Sequence, residues 1–112
     1  MNASREPRRI WDQNQEYGEI LFKRAIGDLP EMESAKAIAG MVKELIRPND
    51  LILDVGCGAG HYLRSLRQEI TDVPFQYMGI DATASSIKLA RKAWSGDHRA
   101  KFEVGDVFFA RK

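Results

Sequence analysis

A run of glycines and three acidic residues carry the chemical signal in this sequence. Asp54-Val55-Gly56-Cys57-Gly58-Ala59-Gly60 reads as a turn from an apolar run into a helix. Glycine takes left-handed backbone angles without strain and leaves no side chain between backbone and ligand. A helix starting after such a turn presents N–H groups and its positive end to the same space, which favours a small anion such as a carboxylate. Asp54 adds a negative charge at the rim. A ligand carrying both an ammonium and a carboxylate suits both features, whereas a pyrophosphate suits the helix end and is repelled by Asp54. Asp81 stands about 20 residues past the loop, where an acidic residue in nucleotide-binding sheets accepts hydrogen bonds from a ribose diol. Asp106 can accept an amino N–H, such as the exocyclic amine of adenine. Ala82, the surroundings of Met78, and Val107 are the expected wall of the pocket.

These groups are useful only if strands deliver them to one edge. The apolar run Leu51–Val55 is bounded by turn residues and predicts a strand buried on both faces. Tyr62, Leu63, Leu66 and Ile70 follow at helical spacing. Phe75 to Asp81 predicts a second strand. Thr83 or Ser85 can cap a further helix that places Ile87, Ala90 and Trp94 on one face. Lys101 to Val104 predicts a third strand. Two helices precede this pattern. The first is expected from about Asn14 to Ile26, after a flexible lead-in over 1–13. The second has Asp28 as N-cap, Pro30 in its first turn and Glu31 completing a capping box, and ends at Arg47-Pro48. Alternating β-α-β units of this length imply an α/β fold with a parallel sheet and right-handed crossovers, with ligands bound beyond the carboxyl ends of the strands. The glycine loop, Asp81 and Asp106 all fall at those ends.

LDVGCGAG, then YMGID, then FEVGDV resemble the first three motifs of the class I S-adenosylmethionine-dependent methyltransferases, over roughly Asp50 to Val107. The resemblance implies a Rossmann-like sheet, here three strands of the usual seven behind N-terminal helices, with residues 14–112 forming the N-terminal part of the domain. It implies S-adenosylmethionine as cofactor. The Gly56–Gly60 loop, with Gly56, Cys57, Gly58 and Gly60, would lie against the methionine moiety. Asp54 would hold the amino group, Asp81 with Ala82 the ribose, Asp106 the adenine amine, and the N–H of Val107 a ring nitrogen. The dinucleotide spacing G-x-G-x-x-G would need glycine at His61, which together with Asp54 disfavours a nicotinamide oxidoreductase. A cofactor-binding fragment without catalytic activity is the other alternative.

Most of the remaining residues have plain readings. Cys57 is expected to pack between strand and helix rather than act as a nucleophile. Arg5, Arg8 and Arg9 read as a solvated tail rather than a nucleic-acid arm. Trp11, Asp12 and Tyr17 suit either a lid over the cofactor or ordinary packing. The composition is ordinary for a globular chain, with 44% hydrophobic and 29% charged residues and a formal net charge of +1 over 112 residues, so no global field draws nucleic acid or acidic membranes. A lone cysteine and the lack of an apolar leader or membrane span fit a cytoplasmic protein. The expected partner is a small-molecule acceptor, with protein and RNA acceptors left open. No metal site is expected and no general base is assigned. The sequence stops before a fourth strand, so the edge of the first strand is expected to be open. That makes the chain either a part of a longer protein or a homo-oligomer through that edge.

Overall fold

Two helices lead into alternating strands and helices, in the order α1 (Arg5–Ile26), α2 (Glu33–Leu45), β1 (Asp50–Val55), α3 (His61–Glu69), β2 (Phe75–Asp81), α4 (Ala84–Ala93) and β3 (Ala100–Val104). This computed structural model describes residues 5–106, with side chains from residue 16 onward. The strands are parallel in the order β1-β2-β3, with Asp54 opposite Gly79 and Gly79 opposite Phe102. Both crossovers move the same way across the sheet. Right-handed crossovers in one direction place their helices on one face, so α3 and α4 share a side and enclose the core there.

That core follows the period of two in the strands. Phe75 and Tyr77 of β2 and Phe102 of β3 turn to the helices, where they meet Leu63, Leu66, Ile87 and Ala90. Full burial of each large apolar side chain contributes roughly 1.5–3 kcal/mol. At the rim, Arg67 lies over the Phe75 ring at 4.2 Å and makes a two-pronged ion pair with Asp97 at 2.8 and 3.1 Å.

The opposite face of β1 corrects an expectation. Leu51, Leu53 and Val55 are 63%, 55% and 50% exposed, so among the described residues β1 is an edge strand covered on one face. A crossover leading away from β1 in the other direction would be needed to cover them. The expectation of self-association rests on this surface.

The helical lead-in differs too. The backbone is already helical at Arg5, well before Asn14. Pro7 falls in the first turn, where its missing N–H leaves no intrahelical bond unmade. The expected capping box at Asp28 does not form. The N-cap of α2 is Met32, without a side-chain bond. Asp28 instead turns the chain, its N–H donating to the Lys23 carbonyl at 2.8 Å. Glu31 is drawn to α3, where Ser65 Oγ donates to its Oε1 at 2.7 Å. Arg64 of α3 donates to the carbonyls of Arg24 and Leu29 at 3.1 and 2.9 Å, which closes the carboxyl end of α1 onto α3. Tertiary partners thus outcompeted a local cap.

Gly79 sets how closely β2 approaches its neighbours. A Cβ there would stand 2.7 Å from Phe102 Cδ1 and 2.8 Å from Cys57 Sγ. Gly79→Ala should therefore overpack the core and lower stability by about 1–3 kcal/mol, read as a shift in the urea midpoint with unchanged slope.

Candidate functional site

The strand order brings the carboxyl ends of β1, β2 and β3 into one row, and the glycine loop is built on it. Gly56 and Cys57 both donate their N–H to the Ile80 carbonyl, at 2.7 and 3.0 Å, and Gly60 N–H donates to Cys57 O at 2.9 Å. Gly58 N–H donates to Asp81 Oδ2 at 2.9 Å. These four donors are thereby satisfied within the protein. The loop shapes the site, and, as expected from the sequence, the partial positive charge comes from the amino end of α3.

Two glycines are required by geometry. Gly60, the N-cap of α3, has φ 80, and a Cβ on it would stand 2.9 Å from Trp94 Cδ1. Trp94 Nε1 also donates to the Gly60 carbonyl at 3.0 Å. Gly56 has φ 77 and nothing within 4 Å of the place a Cβ would take. Its bare face therefore opens to free space.

That space is a cavity of about 590 Å³ between β1, the loop and helices α1 to α3. Asp54, Gly56, Cys57, His61 and Tyr62 line it, together with Tyr17, Leu21, Met32, Ile38 and Val42. The volume suits a small organic ligand. Of the lid residues suggested by sequence, Tyr17 lines the cavity, while the side chains of Trp11 and Asp12 lie outside the described residues.

The expected site residues divide into groups. Asp54, Gly56 and Cys57 line the cavity. Gly58 and Gly60 are buried behind it, holding the loop. Asp81 does not reach the cavity wall; its Oδ1 accepts the Thr83 N–H at 2.9 Å while Oδ2 holds Gly58. Each oxygen keeps a second lone pair for another donor. Ala82 is exposed and Asp106 half-buried. Asp106 stays close to Asp81 in the fold because Gly105 N–H donates to the Asp81 carbonyl at 3.0 Å. Val107 lies outside the described residues.

The electrostatics favour a cationic ligand. Asp54 accepts a 2.6 Å hydrogen bond from the Tyr77 hydroxyl. Burial pushes its carboxyl above the ordinary carboxylate range; the Tyr77 bond opposes this and the charge of Asp81 adds to it. Cys57 is 2% exposed. Burial, with Asp54 and Asp81 nearby, pushes its thiol up to about 12, so it stays protonated and is no nucleophile. Burial and the neighbouring Arg24 push His61 down to about 4, so it is neutral at pH 7. Its Nδ1 is buried without a hydrogen-bond partner among the described residues. Sequence reading missed Tyr77. The available signal was its place on the Phe75, Gly79 and Asp81 face of β2, one pleat before the residue opposite Asp54.

A family model described as a methyltransferase domain matches residues 46–111, more than half of the chain and all three motifs. The chain belongs to the class I S-adenosylmethionine-dependent methyltransferases. It is 35% identical over 88 residues to carboxy-S-adenosyl-L-methionine synthase of Helicobacter pylori (strain Shi470), covering 77% of this chain and 36% of that protein. The plantazolicin methyltransferase BpumL, solved with S-adenosylhomocysteine, has TM-score 0.56 at 22% identity over 96% of this chain and 37% of that one. The 23S rRNA methyltransferase ErmE has TM-score 0.56 at 21% identity, covering 75% and 32%. Likeness at these identities shows the Rossmann-like α/β fold. The chain spans about a third of the length of these proteins. Among the described residues, no helix is long and apolar enough to cross a membrane and no cluster of side chains is arranged to hold a metal.

Because the folded protein binds the Asp54 proton more tightly than the unfolded chain does, raising the pH through the interval above the ordinary carboxylate range costs stability. Asp54→Asn keeps an acceptor for Tyr77 and removes the charge. It should raise the melting temperature at pH 7, and the difference should shrink as the pH falls toward 4, as followed by thermal melts across pH.

Proposed function

We propose that this chain supplies the cofactor half of a methyltransferase that acts on a small-molecule acceptor. The observation that carries the reading is the juxtaposition of the bare backbone of Gly56 and the Asp54 carboxylate on one 590 Å³ cavity at the carboxyl end of β1. S-adenosylmethionine fits this donor set. Asp54 would hold its ammonium, the open face of Gly56 would admit the methionine portion, and the amino end of α3 would favour its carboxylate. Asp81, Ala82, Asp106 and Val107 would hold the nucleoside, with the free lone pairs of Asp81 meeting the ribose hydroxyls. When bound, the cofactor supplies an electrophilic methyl group on a sulfonium.

The chain's own contribution is to bind, align and exclude water. Leu21, Met32, Ile38 and Val42 give the cavity an apolar lining in addition to Asp54, and this apolar lining beside a charged group supports a small acceptor. The modest net charge of +1 argues in the same direction, away from a nucleic-acid acceptor. Cys57 is the single cysteine of the sequence and is buried, which fits a reducing compartment, the cytoplasm. A second reading follows from the relative named carboxy-S-adenosyl-L-methionine synthase: the bound sulfonium compound would itself be the substrate that is modified.

Calorimetric titration of the full chain tests the cofactor assignment. S-adenosylmethionine and S-adenosylhomocysteine should both saturate, and NAD should show no binding. Asp54→Ala should weaken both by roughly 10- to 100-fold, the usual range for a lost charge-assisted hydrogen bond. Preference for NAD would overturn the reading. Turnover that consumes S-adenosylmethionine without releasing S-adenosylhomocysteine would favour the second reading over methyl transfer.

A further inference from the structure

The aim of the Asp54 carboxylate is set by one buried side chain. Tyr77 lies on the helix-facing side of β2, two positions before Gly79, which is in register with Asp54. Side chains in strands lean along the strand, which carries the phenol forward toward Asp54. Its hydroxyl donates to Asp54 Oδ2 at 2.6 Å. The residue is 1% exposed, and its ring packs against Phe102 at 5.5 Å between centroids. Burial and the Asp54 charge push the phenol well above its ordinary range, so it remains a donor at every working pH.

Two further facts give this pair a direction. Asp54 lines the cavity and Tyr77 does not, so Tyr77 reaches a ligand only through Asp54. No hydrogen bond from another described residue reaches Asp54, so the oxygen that Tyr77 leaves open is the one available to the cavity. A carboxylate held at one oxygen cannot rotate away without breaking a charge-assisted bond. An ammonium entering the cavity then meets a fixed acceptor and does not have to order one.

We propose that Tyr77 is a positioning residue that, by fixing Asp54, makes the cavity select adenosyl ligands bearing a primary ammonium over those lacking one. This rests on the cofactor reading above. Tyr77 thereby sets specificity for the amino-acid end of the ligand without touching it.

The test compares S-adenosylhomocysteine with 5′-methylthioadenosine, which keeps the adenosyl thioether and lacks the amino-acid end. Both are titrated into the full chain as wild type, Tyr77→Phe, Asp54→Asn and the double variant, across pH. Tyr77→Phe should weaken S-adenosylhomocysteine about tenfold and leave 5′-methylthioadenosine within about twofold. Its affinity for S-adenosylhomocysteine should also fall off at a higher pH than in the wild type, because the hydroxyl favours the charged carboxylate. In the Asp54→Asn background, Tyr77→Phe should change neither ligand. Equal weakening of both ligands by Tyr77→Phe would mark a merely structural role and overturn the inference, as would any effect in the Asp54→Asn background. If Tyr77→Phe alone does not fold, Asp54→Asn and the double variant, which lack the unpaired charge, decide: the same ligand preference supports the inference and a different one overturns it. Wild-type binding of both ligands with equal affinity overturns it while leaving the cofactor reading intact. Binding of neither overturns both.

Discussion

The Asp81 carboxylate joins the two loops at the carboxyl end of the sheet. One oxygen takes the N–H of Gly58 and the other that of Thr83, both at 2.9 Å. The first bond sets the depth of the glycine loop and the second sets the start of α4. Trp94, the C-cap of α4, returns to the loop through its bond to the Gly60 carbonyl. The loop is therefore tied to both ends of one helix. The bare face of Gly56 opens to the cavity beside this tie.

The same row of strand ends concentrates negative charge. Asp54 and Asp81 lie close enough to raise the energy of the Asp54 charge, and none of the ion pairs among the described residues involves either carboxylate. A fold optimised for stability alone would not leave two carboxylates without a cation in a half-buried rim. On the cofactor reading proposed above, a ligand carrying positive charge would resolve the imbalance. Structure and chemistry oppose one another at Asp54, and Tyr77 mediates between them: it lowers the cost of the buried charge and keeps it facing the cavity.

Much of this was legible from residue order. The changes from helical period to short apolar runs located β1, β2 and β3 to within a residue, because each run is bounded by proline, glycine or aspartate. The placement of Asp54, Asp81 and Asp106 at the carboxyl ends followed from those boundaries. Other features were set by tertiary partners that no local pattern records. Glu31 looked like half of a capping box, yet Ser65 on α3 claims it. Leu51, Leu53 and Val55 looked like a strand buried twice over, yet strand order decides how many faces are covered. Tyr77 was not singled out at all; it is core, and its bond to Asp54 depends on register with β1, which the pattern within β2 does not contain.

A loop in which the amides of Gly56, Cys57, Gly58 and Gly60 are satisfied from within has a kinetic signature. None of those bonds has to break for a ligand to meet the open face of Gly56, so the site resembles a socket cut to shape more than a clasp that folds around its contents. Little conformational entropy is left to lose at that loop on association. Ligand capture at the loop then has no slow rearrangement to wait for, and differences in affinity between ligands would be expressed in how long each one stays.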